Sequence, residues 1–113
     1  MINHAIPIVR LAWSALSIAL YASLKNKPHL SITNPLDDVW RVVHFGVSLE
    51  IELHADKEEI RVTRRLRDGS SSELQYGITS VSAGDPLLAD RAGNLAAPFV
   101  VVDDLLEWLS KTP

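Results

Sequence analysis

From Pro7 to Lys25 the polar side chains fall at Arg10, Ser14, Ser17, Tyr21 and Lys25, steps of three and four residues that trace one narrow helical stripe. Ser23 apart, the positions between them are apolar, among them Ile8, Val9, Leu11, Ala12, Trp13, Ala15, Leu16, Ile18, Ala19, Leu20 and Leu24. The spacing predicts a helix over 7–25, with Pro7 in its first turn, where a missing N–H costs nothing. A helix wet on so thin a stripe is nearly engulfed. One sheet face covers about half a helix, so a further surface is required. That surface is a second helix of this chain or the same helix of another copy. In the second case Trp13, Leu16, Leu20 and Leu24 are the contact residues of a homodimer.

The uncharged run at residues 11–24 also has to be weighed as a membrane or export segment. A spanning helix needs about 20 apolar residues, and this run of 14 is bounded by Arg10 and Lys25. An export signal needs a positive start and small residues before the cut. Here the start offers one arginine, Arg10, besides the α-amino group, and "YAS" at 21–23 is a poor cleavage site. The expectation is a core helix, no membrane and a cytoplasmic protein.

Downstream the period changes. "HLSIT" (29–33) is a short strand candidate. "NPLDDVWRVVHFG" reads as a second helix: Asn34 caps, Pro35 takes the first position, and Asp37 and Asp38 favour the N-terminus. Leu36, Val39, Trp40 and Val43 form its stripe and Gly46 its stop. Strict alternation follows in "VSLEIELHA", with Val47, Leu49, Ile51 and Leu53 on one face. After a turn at "ADKE", Ile60, Val62 and Leu66 point inward. After "DGSSS", Leu74, Tyr76 and Ile78 share a face in "ELQYGITSV". A hairpin-like excursion around Ala92-Gly93-Asn94 leads to a last strand at 99–102. A short helix capped by Asp103 closes the chain, its apolar contacts coming from Leu105, Leu106, Trp108 and Leu109. The pattern describes one α+β domain over 1–113. An antiparallel meander of three to five strands is packed on one face by the long N-terminal helix and the second helix, with the short C-terminal helix beside them.

Composition narrows the function classes. No cysteine is present, which excludes disulfides, thiol nucleophiles and Cys-based metal centres. The net charge of −3 argues against a general nucleic-acid binder. Yet "RVTRRLRDG" holds four arginines in seven residues, and Arg61, Arg65 and Arg67 share the solvent side of a strand. A four-residue turn at 55–58 sets Glu52 opposite Arg61 and Ser48 opposite Arg65, with Glu50 diagonal to both. Arg64 points inward, beside Tyr76, and its stem can snorkel along that ring. Residues 36–59 add seven acids (Asp37, Asp38, Glu50, Glu52, Asp56, Glu58, Glu59) against two bases, Arg41 and Lys57. The strand therefore reads first as a polar sheet face. Its alternative is a binding surface of Arg61, Arg65, Arg67 and Tyr76, with Arg67, Asp68 and the serine turn 70–72 most exposed.

His4, His29, His44 and His54 lack metal-ligand spacing, and "DPLLADRAGN" lacks that of a calcium loop. The acid pairs Asp37–Asp38 and Asp103–Asp104 fall at expected helix starts, where capping accounts for them. No P-loop, dinucleotide fingerprint or nucleophile elbow occurs, so no cofactor is expected. The leading reading is a non-enzymatic module that binds another macromolecule, an unidentified protein. The alternatives are a nucleic-acid module using residues 61–67 and a small enzyme or ligand binder with a pocket between helices and sheet.

Overall fold

The computed structural model describes residues 5–80 and 85–111. Helix α1 (Ala5–Leu24) is followed by seven strands: β1 (Ser31–Leu36), β2 (Val39–His44), β3 (Val47–His54), β4 (Glu59–Arg65), β5 (Ser71–Ser80), β6 (Pro86–Ala89) and β7 (Leu95–Ala96). Helix α2 (Pro98–Ser110) ends the described chain. The strands lie in sequence order in one antiparallel sheet. The α+β class holds, and the meander is longer than the three to five strands expected. His4 and Val81 fall outside the described residues. Among those described, no helix is long and apolar enough to cross a membrane.

The expected second helix at 34–45 is instead the β1–β2 hairpin. The pattern Leu36, Val39, Trp40, Val43 suits a helix, but β alternation also fits: Trp40 and Val42 are buried while Arg41 is exposed. Three valines in five residues favour the extended form. Turn chemistry then decides. Phe45 and Gly46 both have positive φ (49° and 83°) and join His44 to Val47 as a two-residue I′-type hairpin turn. Gly46 is thus a turn residue and ends no helix. Asn34 caps no helix either, since its Nδ2 donates to the carbonyls of Leu36 (2.7 Å) and Val39 (2.6 Å) and closes the hairpin. Pro35 sits at a register shift in β1, an edge strand, where a missing N–H is tolerated.

The second correction lies at the other end. Residues 99–102 are not a strand but the first turns of α2, which starts at Pro98 and not at Asp103. Val101, Val102, Leu105, Leu106 and Leu109 are buried and define a helical stripe, and it outweighs the β-branched run of valines. Asp103 and Asp104 are exposed within the helix and cap nothing.

One sheet face is covered by both helices, which also pack on each other. Leu16 and Leu20 of α1, Leu49 and Ile51 of β3, Ile60 and Val62 of β4, Leu88 of β6 and Leu105 and Leu109 of α2 are almost wholly removed from solvent. Two indole N–H groups are satisfied at the α1–sheet boundary. Trp40 donates to Ser17 Oγ (2.9 Å), and Ser17 donates back to the Trp13 carbonyl (2.8 Å). Trp13 donates to the Asp37 carbonyl (3.2 Å), and Arg10 bonds the Asp38 carboxylate (3.0 Å). Asp37 and Asp38 therefore form the turn under α1 and are no helix cap.

Candidate functional site

The four-residue turn at 55–58 sets the β3–β4 register as anticipated, with Glu52 opposite Arg61 and Ser48 opposite Arg65. The ion pairs do not follow that register. Arg61 Nε donates to Glu59 on its own strand (2.6 Å) and Glu50 takes Arg41 (2.7 Å), while Glu52 lies 3.4 Å from His54. The bond to Arg61 holds the Glu59 carboxyl below its ordinary range and pushes the guanidinium higher. Arg65 is exposed and is not ion-paired among the described residues.

Tyr76 stands opposite Ile60, on the helix-covered face and on the other side of the sheet from Arg61 and Arg65. Half-burial raises its phenol above the usual value, helped by Asp104 and Asp90. Arg61, Arg65, Arg67 and Tyr76 are thus divided among the two sheet faces and a loop, and no joint surface forms. Arg64 points inward as anticipated, but its cross-strand neighbour is Ser72 and not Tyr76. Its aromatic neighbour is Trp108 of α2.

Trp13, Leu16 and Leu20 are packed by their own chain and Leu24 is partly buried against the same core. The outer side of α1 carries different apolar residues: Leu11 is 51% exposed, Ile18 69% and Tyr21 55%. Ser14, Ala22 and Lys25 are exposed between and beyond them. The wet face is broader than one polar stripe and displaced from it, since Leu11, Ile18 and Ala22 are exposed while Ser17 is turned to Trp40.

A cavity of about 440 Å³ opens at one end of the sheet. The β2–β3 turn contributes His44, Phe45 and Val47, the β4–β5 loop Leu66, Arg67 and Asp68, and the end of α2 Leu109, Ser110 and Lys111. The Arg67 Nε donates to the Phe45 carbonyl (2.5 Å) and ties the two turns together. Asp68 accepts the backbone N–H (2.9 Å) and hydroxyl (2.6 Å) of Ser70, which holds its carboxyl below the usual range. His44 packs between His29 (5.1 Å) and Phe45 (4.5 Å), and its buried Nδ1 meets no partner among the described residues. Arg67 is legible in the sequence and the cavity is not, because its walls come from three elements well separated along the chain.

Among the described residues, no group of three or more His, Asp or Glu side chains stands close enough together to hold a metal ion. No protein-family model matches this chain, and neither curated proteins nor solved structures show significant similarity to it.

Proposed function

We propose that the protein is a non-enzymatic interaction module of the cytoplasm that docks a helix against the outer side of α1, and that a second copy is that helix's source. The observation that carries the reading is the exposed series Leu11, Ser14, Ile18, Tyr21 and Lys25. Its steps are three, four, three and four residues, the repeat by which one helix seats on another. No charge interrupts it between Leu11 and Tyr21. An antiparallel two-fold centred near Leu16 brings Leu11 of one copy opposite Tyr21 of the other and Ser14 opposite Ile18. Large side chains then meet apolar or small ones, as an isologous contact requires. Exposed apolar surface of this kind on a folded chain argues for a partner.

Sedimentation equilibrium at micromolar concentration tests the reading. The expected mass is twice the 12.5 kDa of the chain, returning to 12.5 kDa in Ile18→Glu with its circular dichroism unchanged. A wild-type chain that remains monomeric at about 100 μM, where even weak specific association shows, overturns the second copy as occupant.

A further inference from the structure

We propose that the cavity at the end of the sheet binds a small amphipathic anion, a carboxylate carried on an aromatic or branched aliphatic body. The inference is independent of the docking face on α1.

The floor is apolar. Val47 and Leu109 belong to the core and Leu66 packs against it, while the Phe45 ring stands exposed at the side. A volume of about 440 Å³ lies within the roughly 300–1,000 Å³ of small-ligand sites. The rim is cationic in a chain whose net charge is −3. Arg67 and Lys111 line it, and among the described residues neither is ion-paired. The bond from Arg67 Nε to Phe45 fixes the guanidinium plane and leaves its two terminal nitrogens for a planar, two-oxygen acceptor. Asp68, the carboxylate on the wall, is held in its charged form by the bonds from Ser70 and offsets one of the two cations, so Arg67 and Lys111 leave the rim with an excess of one positive charge.

The negative pole of α2 also ends at this cavity, which by itself disfavours an anion. Arg64 answers it. Its Nη2 donates to the Lys111 carbonyl at 2.6 Å, and the residue is 8% exposed. No acid pairs with Arg64 among the described residues, so its charge serves the helix end. The excess positive charge of Arg67 and Lys111 over Asp68 is left for a ligand. An apolar floor with a small number of placed polar groups is the ordinary build of a small-molecule site.

The test is a ¹H–¹⁵N titration of the full chain with 3-phenylpropionate, run beside its neutral counterpart 3-phenylpropan-1-ol. Expected are saturable shifts confined to amides around Val47, Leu66 and Leu109, with the carboxylate binding about tenfold tighter than the alcohol. Arg67→Met is expected to weaken the carboxylate about tenfold and leave the alcohol unchanged. Should that variant loosen the turn, Lys111→Met, at an exposed position, reads the same charge and is expected to weaken it several-fold. Equal affinity for the two probes overturns the proposal. So do shifts scattered over the surface, no saturation by about 10 mM, the weak limit of specific recognition, or a Lys111→Met chain that binds as the wild type does.

Discussion

The guanidinium carbon of Arg64 lies 5.6 Å from the centre of the Trp108 ring, joining the covered face of β4 to the last turn of α2. Arg64 is a buried cation whose compensation is a helix pole, a carbonyl and an aromatic face. Its Nε has no partner among the described residues, so part of its desolvation stays unrecovered. Arg64→Met keeps the stem and removes that penalty, and is expected to change unfolding free energy by less than about 1.5 kcal/mol. Arg64→Ala removes the stem as well and is expected to cost about 2–5 kcal/mol, by analogy with large-to-small core changes. Urea titrations of both variants check this. Equal losses would mean that the charge, and not the packing, holds the helix end.

Ser17 is the hydroxyl on which Trp40 depends. Ser17→Ala is expected to cost about 1–3 kcal/mol, the penalty for leaving a buried donor unpaired. Trp40→Phe removes the donor along with its need. The double variant should therefore lose clearly less than the sum of the two single ones in a double-mutant cycle. Additive losses would show that the hydrogen bond contributes nothing.

Gly46 holds φ at +83°, and a β-carbon there would stand 2.8 Å from the Arg67 Nε. Gly46→Ala is expected to cost about 1–2 kcal/mol from the left-handed backbone alone, and to displace Arg67 from the Phe45 carbonyl. Gly46→Asn, which tolerates that backbone, should cost less in thermal unfolding.

Asp90 closes the β6–β7 loop by accepting the backbone N–H groups of Ala92 and Asn94 (2.9 Å each) and the Asn94 amide (3.2 Å). These bonds, those from Asn94 first, hold its carboxyl below the ordinary aspartate value. A carboxyl lowered in the folded state contributes stability that is present above its unfolded pKa and lost as pH falls through the folded one. Asp90→Ala should therefore be less stable than wild type above about pH 5, with the gap closing on acidification below the usual carboxylate range. A gap that stays constant down to about pH 2 would refute the assignment.

On the uncovered face of β4, Arg61 stands opposite Glu52 and Arg65 between Ser48 and Ser71, and Tyr76 lies on the other face of the sheet. At physiological salt the chain is expected to bind single-stranded RNA no tighter than about 10⁻⁴ M. Micromolar binding, steeply salt-dependent and lost in Arg61→Gln/Arg65→Gln, would bring the nucleic-acid reading forward.

Legibility along the chain followed the strength of local periodicity. β3 and β4 were readable to the residue because Val47–Leu53 alternates without a break and the turn at 55–58 has a fixed length. Residues 34–45 were not, since Leu36, Val39, Trp40 and Val43 satisfy helix and strand templates together. Only the positive φ of Phe45, which no residue type announces, separates the two. The start of α2 was hidden by three consecutive valines, whose extended preference is overruled by the core contacts of Val101 and Val102. Of the expected site, Arg67 alone lies on the cavity described here. Its companions Phe45 and Lys111 are surface residues whose proximity exists only after folding.

Sequential strand order has a kinetic side. Each of the six hairpin contacts joins neighbours in the chain, so the sheet can zip from any turn with short loop closures, which favours rapid assembly. Helix α1 is the exception: beyond its bonds to the β1–β2 hairpin it packs on β5, β6 and α2, which lie far from it along the chain. Until α2 docks, the apolar face of the meander and that of α1 both lack their final cover. The greatest aggregation hazard therefore lies in folding intermediates in which the sheet has formed and α2 has not yet docked.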